Sequence, residues 1–132
     1  MVTYMNSTTA QALAKLDEFA ELQPGWNGYD AQPLSPTVLV NAKAIVNALS
    51  PAPAVFPTAN DSVQLEYTKP DDDYLELEVT ADTVYAYYAP AHGTSADDHE
   101  WTVPLSPTAV ADVVAAFFAD RVPCALPDKE VV

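Results

Sequence analysis

The sequence contains few of the residues on which redox, metal and nucleotide chemistry depend. Its 132 residues include one cysteine, Cys124, and three glycines. A lone thiol can neither close an internal disulfide nor build a zinc knuckle. The chain has no Gly-x-Ser-x-Gly elbow, no Gly-Lys-Ser phosphate loop and no paired glycines of a dinucleotide fold. We therefore predict a protein that is not an enzyme, with no catalytic residue, no bound metal and no cofactor.

Long apolar runs and basic residues are equally scarce. No 18 consecutive apolar residues occur, and the first residues, MVTYMNSTTAQALAKLDEF, lack a basic segment followed by an apolar one, so we expect neither a membrane span nor export. Lys and Arg total 5 against 19 Asp and Glu, which gives a formal net charge of −14. This charge repels nucleic acids and anionic membranes and favours a basic protein as the partner. The predicted location is the cytoplasm.

Three segments carry the apolar spacing of an amphipathic helix. The first, STTAQALAKLDEFAEL, can be capped by Ser7 or Thr8 and must end by Pro24. The other two each follow a PLSPT tract, in which Ser can cap a helix and the next Pro can occupy its first position. They are predicted from Pro36 to Leu49 and from Pro107 to about Arg121. Their predicted core residues are Val38, Leu39, Ala42, Ile45, Val46 and Leu49, then Val110, Val113, Val114, Phe117 and Phe118.

Between the second and third helices the apolar period changes to two, which is typical of strands. SVQLEYT, DYLELEVT and TVYAYYA all alternate in this way. Shorter strands are predicted near Ala54 to Phe56 and at His99 to Val103. The predicted fold is therefore α+β, with two N-terminal helices, an antiparallel β-meander of four to five strands and a C-terminal helix packed on one face of the sheet. We expect a single domain over residues 1–122 and a flexible tail over residues 123–132.

A two-residue turn at Ala81 and Asp82 would fix how the meander pairs. It places the apolar side chains on one face, through the pairs Val79 with Val84, Leu77 with Ala86 and Leu75 with Tyr88. The other face is then acidic and aromatic, through the pairs Glu78 with Tyr85, Glu76 with Tyr87 and Glu66 with Glu76. Two like charges in direct opposition cost about 0.2–1 kcal/mol, which a cationic partner would remove.

Two interpretations of this acidic face are open. Its carboxylates can simply keep the sheet soluble, with tyrosines that fill strand positions they favour. Alternatively, the carboxylates and tyrosines bind a basic protein, since Tyr stacks well on Arg. The predicted partner-binding residues are Glu66, Asp71, Asp72, Asp73, Tyr74, Glu76, Glu78, Tyr85, Tyr87, Asp97, Asp98 and Glu100.

The stretch from Leu22 to Tyr88, with PGWNGYDA between two predicted helices and YLELEVT in the sheet, resembles a loose set of small bacterial and phage proteins. In that set a GWDGYGA-type loop joins two helices, and the sheet contains a strand of the leiei type. The resemblance implies this arrangement of helices and sheet and no particular activity. Asn27 stands where many members have Asp. If that Asp were a charged catalytic group, this chain would lack it.

The loop PGWNGYDA also raises the question of why a tryptophan lies among turn residues. Gly25 and Gly28 permit positive φ angles on either side of Trp26. We expect this turn to direct the indole inward beneath the two helices, as a core anchor rather than as part of a ligand site. Tyr29 would either cover the indole or face solvent.

Three functional hypotheses follow. The first is a phage-encoded, anti-CRISPR-like inhibitor that occupies a basic, nucleic-acid-binding surface of a host defence protein, such as a Cas effector nuclease, in the bacterial cytoplasm. The second is an antitoxin or immunity protein with an equally basic partner. The third is a small metal-dependent hydrolase that uses His92 and His99, although GTSADD between them favours a mobile hairpin loop. The oligomeric state is left open.

Overall fold

The computed structural model of the chain describes residues 8–121 and Pro123. In this part of the chain there are three helices, α1 (Thr9–Phe19), α2 (Pro36–Asn47) and α3 (Pro107–Phe118). The strands are β1 (Ala54–Thr58), β2 (Ser62–Thr68), β3 (Tyr74–Val79), β4 (Val84–Ala89) and β5 (His99–Val103). They form one antiparallel sheet in the order β1-β2-β3-β4-β5, which confirms the predicted α+β meander.

Each helix begins where its capping residue predicts. Thr8 caps α1 by accepting a hydrogen bond from the backbone N–H of Gln11 at 3.1 Å. The serines of the two PLSPT tracts act alike, and each is followed by a proline in the first turn. Ser35 accepts from the N–H of Val38 at 3.3 Å, and Ser106 accepts from that of Ala109 at 3.2 Å. Local capping therefore suffices to explain why the tract occurs twice.

Helix α3 ends three residues before its predicted end at Arg121. Asp120 adopts a left-handed backbone conformation with φ of 60°. The N–H of Arg121 then bonds back to the carbonyl of Ala116 at 2.9 Å, and the N–H of Asp120 to that of Phe117 at 3.3 Å. This is a Schellman motif with Asp in the position that usually holds Gly. The sequence therefore has no glycine that would have indicated the end of the helix.

The sheet has the predicted register in full. Ala81 and Asp82 form the two-residue turn. The backbone N–H of Thr80 closes this turn by donating to the carbonyl of Thr83 at 3.0 Å. The pairs are Val79 with Val84, Leu77 with Ala86, Leu75 with Tyr88, Glu78 with Tyr85, Glu76 with Tyr87 and Glu66 with Glu76. We call the apolar side of the sheet the inner face and the acidic side the outer face.

The inner face and the helices share one hydrophobic core. Helix α1 packs on α2 and β1, and α2 packs on β2 and β3. From α3, the ring of Phe117 lies 6.4 Å from that of Tyr67 and 6.2 Å from that of Tyr88, measured between centroids. All predicted core residues of α2 and α3 are buried except Phe118, which is 41% exposed. That prediction is wrong: Phe118 is the last residue of α3, and its ring packs edge-to-face with Tyr67 and Phe117 while remaining partly open to solvent.

Trp26 is not the core anchor that the sequence predicted. Its side chain is only half-buried, and its indole N–H donates to the carbonyl of Gln32 within the same loop, at 2.8 Å. Ala31 and Leu34 are the loop residues that enter the protein interior. Tyr29, at 84% exposure, faces solvent.

The loop around Trp26 is ordered by its own polar groups. Gly25 and Gly28 have φ angles of 77° and 87°, as their positions predict. The side-chain oxygen of Asn27 accepts hydrogen bonds from the N–H groups of Tyr29 at 2.9 Å and Ala31 at 3.3 Å. Asn27 therefore turns the loop, and an Asp at this position could accept the same two bonds.

Lys69, in the turn between β2 and β3, connects the sheet to the end of α3. Its ammonium group donates to the carbonyl of Phe117 at 2.6 Å and to the carboxylate of Asp120 at 2.7 Å, and it lies 3.6 Å from Asp73. It also lies 4.6 Å from the centre of the Phe117 ring. Burial lowers the pKa of Lys69, but the bonds and charges of Asp120 and Asp73 outweigh this effect and raise it. A cation at this place stabilises the C-terminus of α3.

The predicted domain limit at residue 122 and the predicted flexible tail over residues 123–132 fall, apart from Pro123, outside the described residues.

We predict that Lys69→Met lowers the free energy of unfolding by about 2–3 kcal/mol, because it leaves the carboxylate of Asp73 without its cation and the carbonyl of Phe117 without the ammonium donor. Lys43→Met is the matched control. Lys43 also contacts an aspartate, Asp17, at 2.6 Å, but both side chains are well exposed, so we expect a loss below about 1 kcal/mol. Urea unfolding of both variants measures the difference. Equal losses would contradict the role given to Lys69.

Candidate functional site

The acidic part of the outer face collects side chains from four neighbouring strands, β2 to β5. Because alternate residues of a strand share a face, the pairing aligns them in rows across the sheet. One row runs Gln64, Glu78, Tyr85 and Thr102, and the next runs Glu66, Glu76, Tyr87 and Glu100. These side chains are half-buried or exposed, in contrast to the buried inner face.

A shallow depression of about 420 Å³ lies on the outer face over β3, β4 and β5. We call it the outer-face depression. Its lining residues are Glu76, Glu78, Tyr85, Ala86, Tyr87, Glu100, Trp101 and Thr102. Three carboxylates and two tyrosines thus meet in one concave surface; the sequence predicted their common face but not the depression.

Neutral donors within the chain hold the carboxylates of β2 and β3. The hydroxyl of Tyr74 donates to Glu76 at 2.7 Å, and that of Ser62 donates to Glu78 at 2.6 Å. The side-chain amide of Gln64 donates to Glu66. Such bonds fix the direction of a carboxylate without cancelling its charge.

Neutral donors also reduce the repulsion between Glu66 and Glu76, because Gln64 donates to the first and Tyr74 to the second. The hydroxyl of Tyr74 remains protonated beside this pair: burial raises the pKa of Tyr74, and the hydrogen bond to Glu76 and the charges of Glu76 and Glu66 raise it further. Donors within the fold therefore offset part of the repulsion that the sequence analysis left for a cationic partner to remove. Two acidic side chains nevertheless stand directly opposite each other at the surface.

The outer-face glutamates have no cationic partner within residues 8–121. The ion pairs in this part of the chain join Lys43 to Asp17 and Lys69 to Asp73 and Asp120. None of them involves the glutamates of β2, β3 and β5. The negative charge of this face is thus left for solvent or for another molecule.

The predicted residues Asp71, Asp72 and Asp73 mainly build the turn between β2 and β3. Asp73 is 17% exposed, faces Lys69 and accepts a bond from the N–H of Ala91 at 2.7 Å. Asp71 accepts from the N–H of Asp73 at 3.3 Å, and Asp72 has a φ of 77°. The carboxylate of Asp73 is engaged in the fold, whereas Asp71 and Asp72 are exposed.

Asp97 and Asp98 lie in the loop between β4 and β5. Asp97 accepts a bond from the N–H of Thr94 at 2.8 Å and closes a 3₁₀ turn at Ser95–Asp97. Asp98 accepts from the hydroxyl of Tyr87 at 2.6 Å, which ties the loop to the outer face. That bond, with burial and the charges of Asp98 and Glu100, raises the pKa of Tyr87.

Both histidines lie near the sheet end that carries these loops. A second depression of about 510 Å³ is lined there by residues that include Asp71, His92, Asp97 and His99. The His99 ring stacks on that of Tyr88 at 6.3 Å. Within the described part of the chain, no group of three or more His, Cys, Asp or Glu side chains has an arrangement that could hold a metal ion.

Sequence reasoning missed Ser62, Gln64, Trp101 and Thr102 as contributors to the site. Ser62 is 1% exposed and supports Glu78 from β2. Alternation along the strands could have identified three of them. Ser62 and Gln64 lie an even number of residues from Glu66, and Thr102 lies two residues from Glu100, so they point to the same side of the sheet. Trp101 has the opposite alternation phase, as has its partner Ala86 on β4, and alternation gave no reason to expect either in the lining.

Comparison of the chain with protein-family models, curated proteins and solved structures finds no match. Among residues 8–121, none of the helices has both the length and the apolar character needed to cross a bilayer.

We predict that the stability of the protein falls at high pH partly through Tyr74. Its folded-state pKa is raised above the unfolded value of about 10, so its contribution is fully present below pH ~10 and is lost as the pH rises further. The slope for one tyrosine is at most about 1.4 kcal/mol per pH unit, and smaller here because Tyr74 is partly solvated.

Urea unfolding at several pH values above ~10 should give a shallower loss for Tyr74→Phe than for the wild type. The quantity compared is the slope of unfolding free energy against pH. The variant also loses the hydrogen bond to Glu76, which lowers its stability at every pH and so does not account for a difference in slope. Tyr29→Phe, at a solvent-facing tyrosine, is the control and should keep the wild-type slope. A wild-type slope in Tyr74→Phe would contradict the raised pKa of Tyr74.

Proposed function

We propose that this chain is a non-catalytic binding protein whose outer face occupies a basic, nucleic-acid-binding surface of another protein. One observation carries the proposal: the outer-face glutamates surround two tyrosines in a depression, and no Lys or Arg of the described residues pairs with them. In the complex, the carboxylates stand where nucleic-acid phosphates would otherwise lie.

The geometry supports recognition of a positively charged surface rather than a small ligand. Glu76 and Glu78 lie two residues apart on β3, a separation of about 7 Å along the strand. Glu66 and Glu100 extend the negative charge across the sheet in the row of Glu76. A basic surface that spans several phosphates presents its Lys and Arg side chains over a comparable area. With a net charge of −14, approach to such a surface is also steered over long distances.

The proposed partner is a host defence nuclease, such as a Cas effector, in the cytoplasm of a bacterium. Its nucleic-acid channel is lined by basic residues, which matches the charge of the outer face. An antitoxin would use the same surface chemistry, and it would be encoded beside its target.

We predict that Glu100→Lys weakens binding to the partner by at least roughly tenfold, because it reverses a charge in the outer-face depression. Glu100 is exposed, so the substitution should leave the fold intact. Asp112→Lys, on the exposed side of α3, makes the same change in net charge and is the matched control. The wild type and both variants are used to capture partners from a bacterial host, and each captured protein is then tested for displacement of its nucleic acid.

Affinity of the captured protein for the wild type should fall steeply from roughly 0.01 M to 0.15 M salt, as the Debye length shortens from about 30 to about 8 Å. Equal loss in Glu100→Lys and Asp112→Lys would mean that net charge, not this face, determines binding. A captured protein that keeps its nucleic acid when the wild type binds would contradict the proposal.

A further inference from the structure

The two tyrosines of the outer-face depression differ in how firmly they are held. Tyr87 bonds to Asp98 and packs edge-on against Tyr74 at 6.1 Å, so its ring is fixed. Tyr85 is 51% exposed, and no hydrogen bond of its hydroxyl is found within the described residues. The depression thus has one fixed and one accessible aromatic surface.

Each tyrosine has a carboxylate directly opposite it on a neighbouring strand. Glu78 lies opposite Tyr85, and Tyr87 lies between Glu76 and Glu100. Opposed side chains have Cβ atoms about 4.5–5.5 Å apart. A flat cation that rests on either ring is therefore within reach of a carboxylate at its edge.

The carboxylates of β3 are arranged before any partner arrives. Glu76 accepts a hydrogen bond from the hydroxyl of Tyr74 at Oε1, and Glu78 accepts one from the hydroxyl of Ser62 at Oε2. Ser62 is itself buried and bonded to Thr58 at 2.5 Å. Each glutamate keeps a second oxygen that can accept a further bond. Such preorganisation reduces the entropy lost when a partner binds.

We propose that the outer-face depression binds arginine side chains of its partner in preference to lysine. This inference rests on the proposed function and specifies the chemistry of its partner. A guanidinium group is planar, presents a fork of donors to carboxylates and stacks on an aromatic ring. An ammonium group is a strongly hydrated point charge, and a depression this shallow cannot remove its water.

The test compares oligo-arginine and oligo-lysine peptides of equal length by isothermal titration calorimetry at roughly 0.15 M salt. The wild type should bind oligo-arginine roughly tenfold more tightly than oligo-lysine. Tyr85→Ala should reduce this ratio to about one, because it removes the accessible ring. Tyr85→Phe keeps the ring and should keep the ratio. Tyr29→Ala removes a tyrosine outside the sheet that is more exposed than Tyr85, at 84% against 51%, and should also keep the ratio.

Equal affinity of the wild type for the two peptides would overturn the preference for arginine and leave the proposed function standing. A ratio that stays unchanged in Tyr85→Ala would also overturn it, because the preference would then arise without the accessible ring of the outer-face depression. If neither peptide binds even at low salt, the result would contradict both the preference for arginine and the proposed function of the outer face as a binding surface. Circular dichroism of each variant checks that the variant is folded, so that a reduced ratio of oligo-arginine to oligo-lysine affinity reflects a change in the depression.

Discussion

The register of the meander is the constraint on which the rest of the structure depends. Apolar and polar side chains alternate along β2, β3 and β4, and only one pairing places all the apolar ones against the helices. A slip of one residue would bury Glu66, Glu76 and Glu78 and expose Leu65, Leu75 and Leu77 in their place, which folding could not tolerate. The pairing that forms the core therefore also forms the acidic outer face, so fold and candidate site have one physical origin.

The outer face keeps its charge because the chain stabilises its carboxylates with neutral groups. Hydroxyls of Tyr74 and Ser62 hold Glu76 and Glu78, whereas the cations described in ion pairs, Lys43 and Lys69, act elsewhere. A salt bridge at these positions would have cancelled the charge that a basic partner needs. Hydroxyl donors direct the carboxylates and leave their negative charge at the surface.

Lys69 shows how one cation can serve the fold of a strongly acidic chain. It lies in the turn between β2 and β3 and contacts the end of α3, almost fifty residues further on. Asp73, which the sequence assigned to the partner-binding set, contacts Lys69 and Ala91. The acidic turn is thus divided between fold and surface: Asp73 stabilises the junction, and Asp71 and Asp72 face solvent.

Local patterns in the sequence determined the helix starts, the five strands, their register and the acidic character of the outer face. These features depend on capping and on alternation, which involve residues close together along the chain. The tertiary structure alone decided that α3 stops at Phe118, that Trp26 bonds to its own loop, and that Ser62 supports Glu78. Each of these outcomes depends on backbone geometry or on contacts between distant residues. A sequence shows which residues can form such contacts, and only the folded chain brings one partner within reach of another.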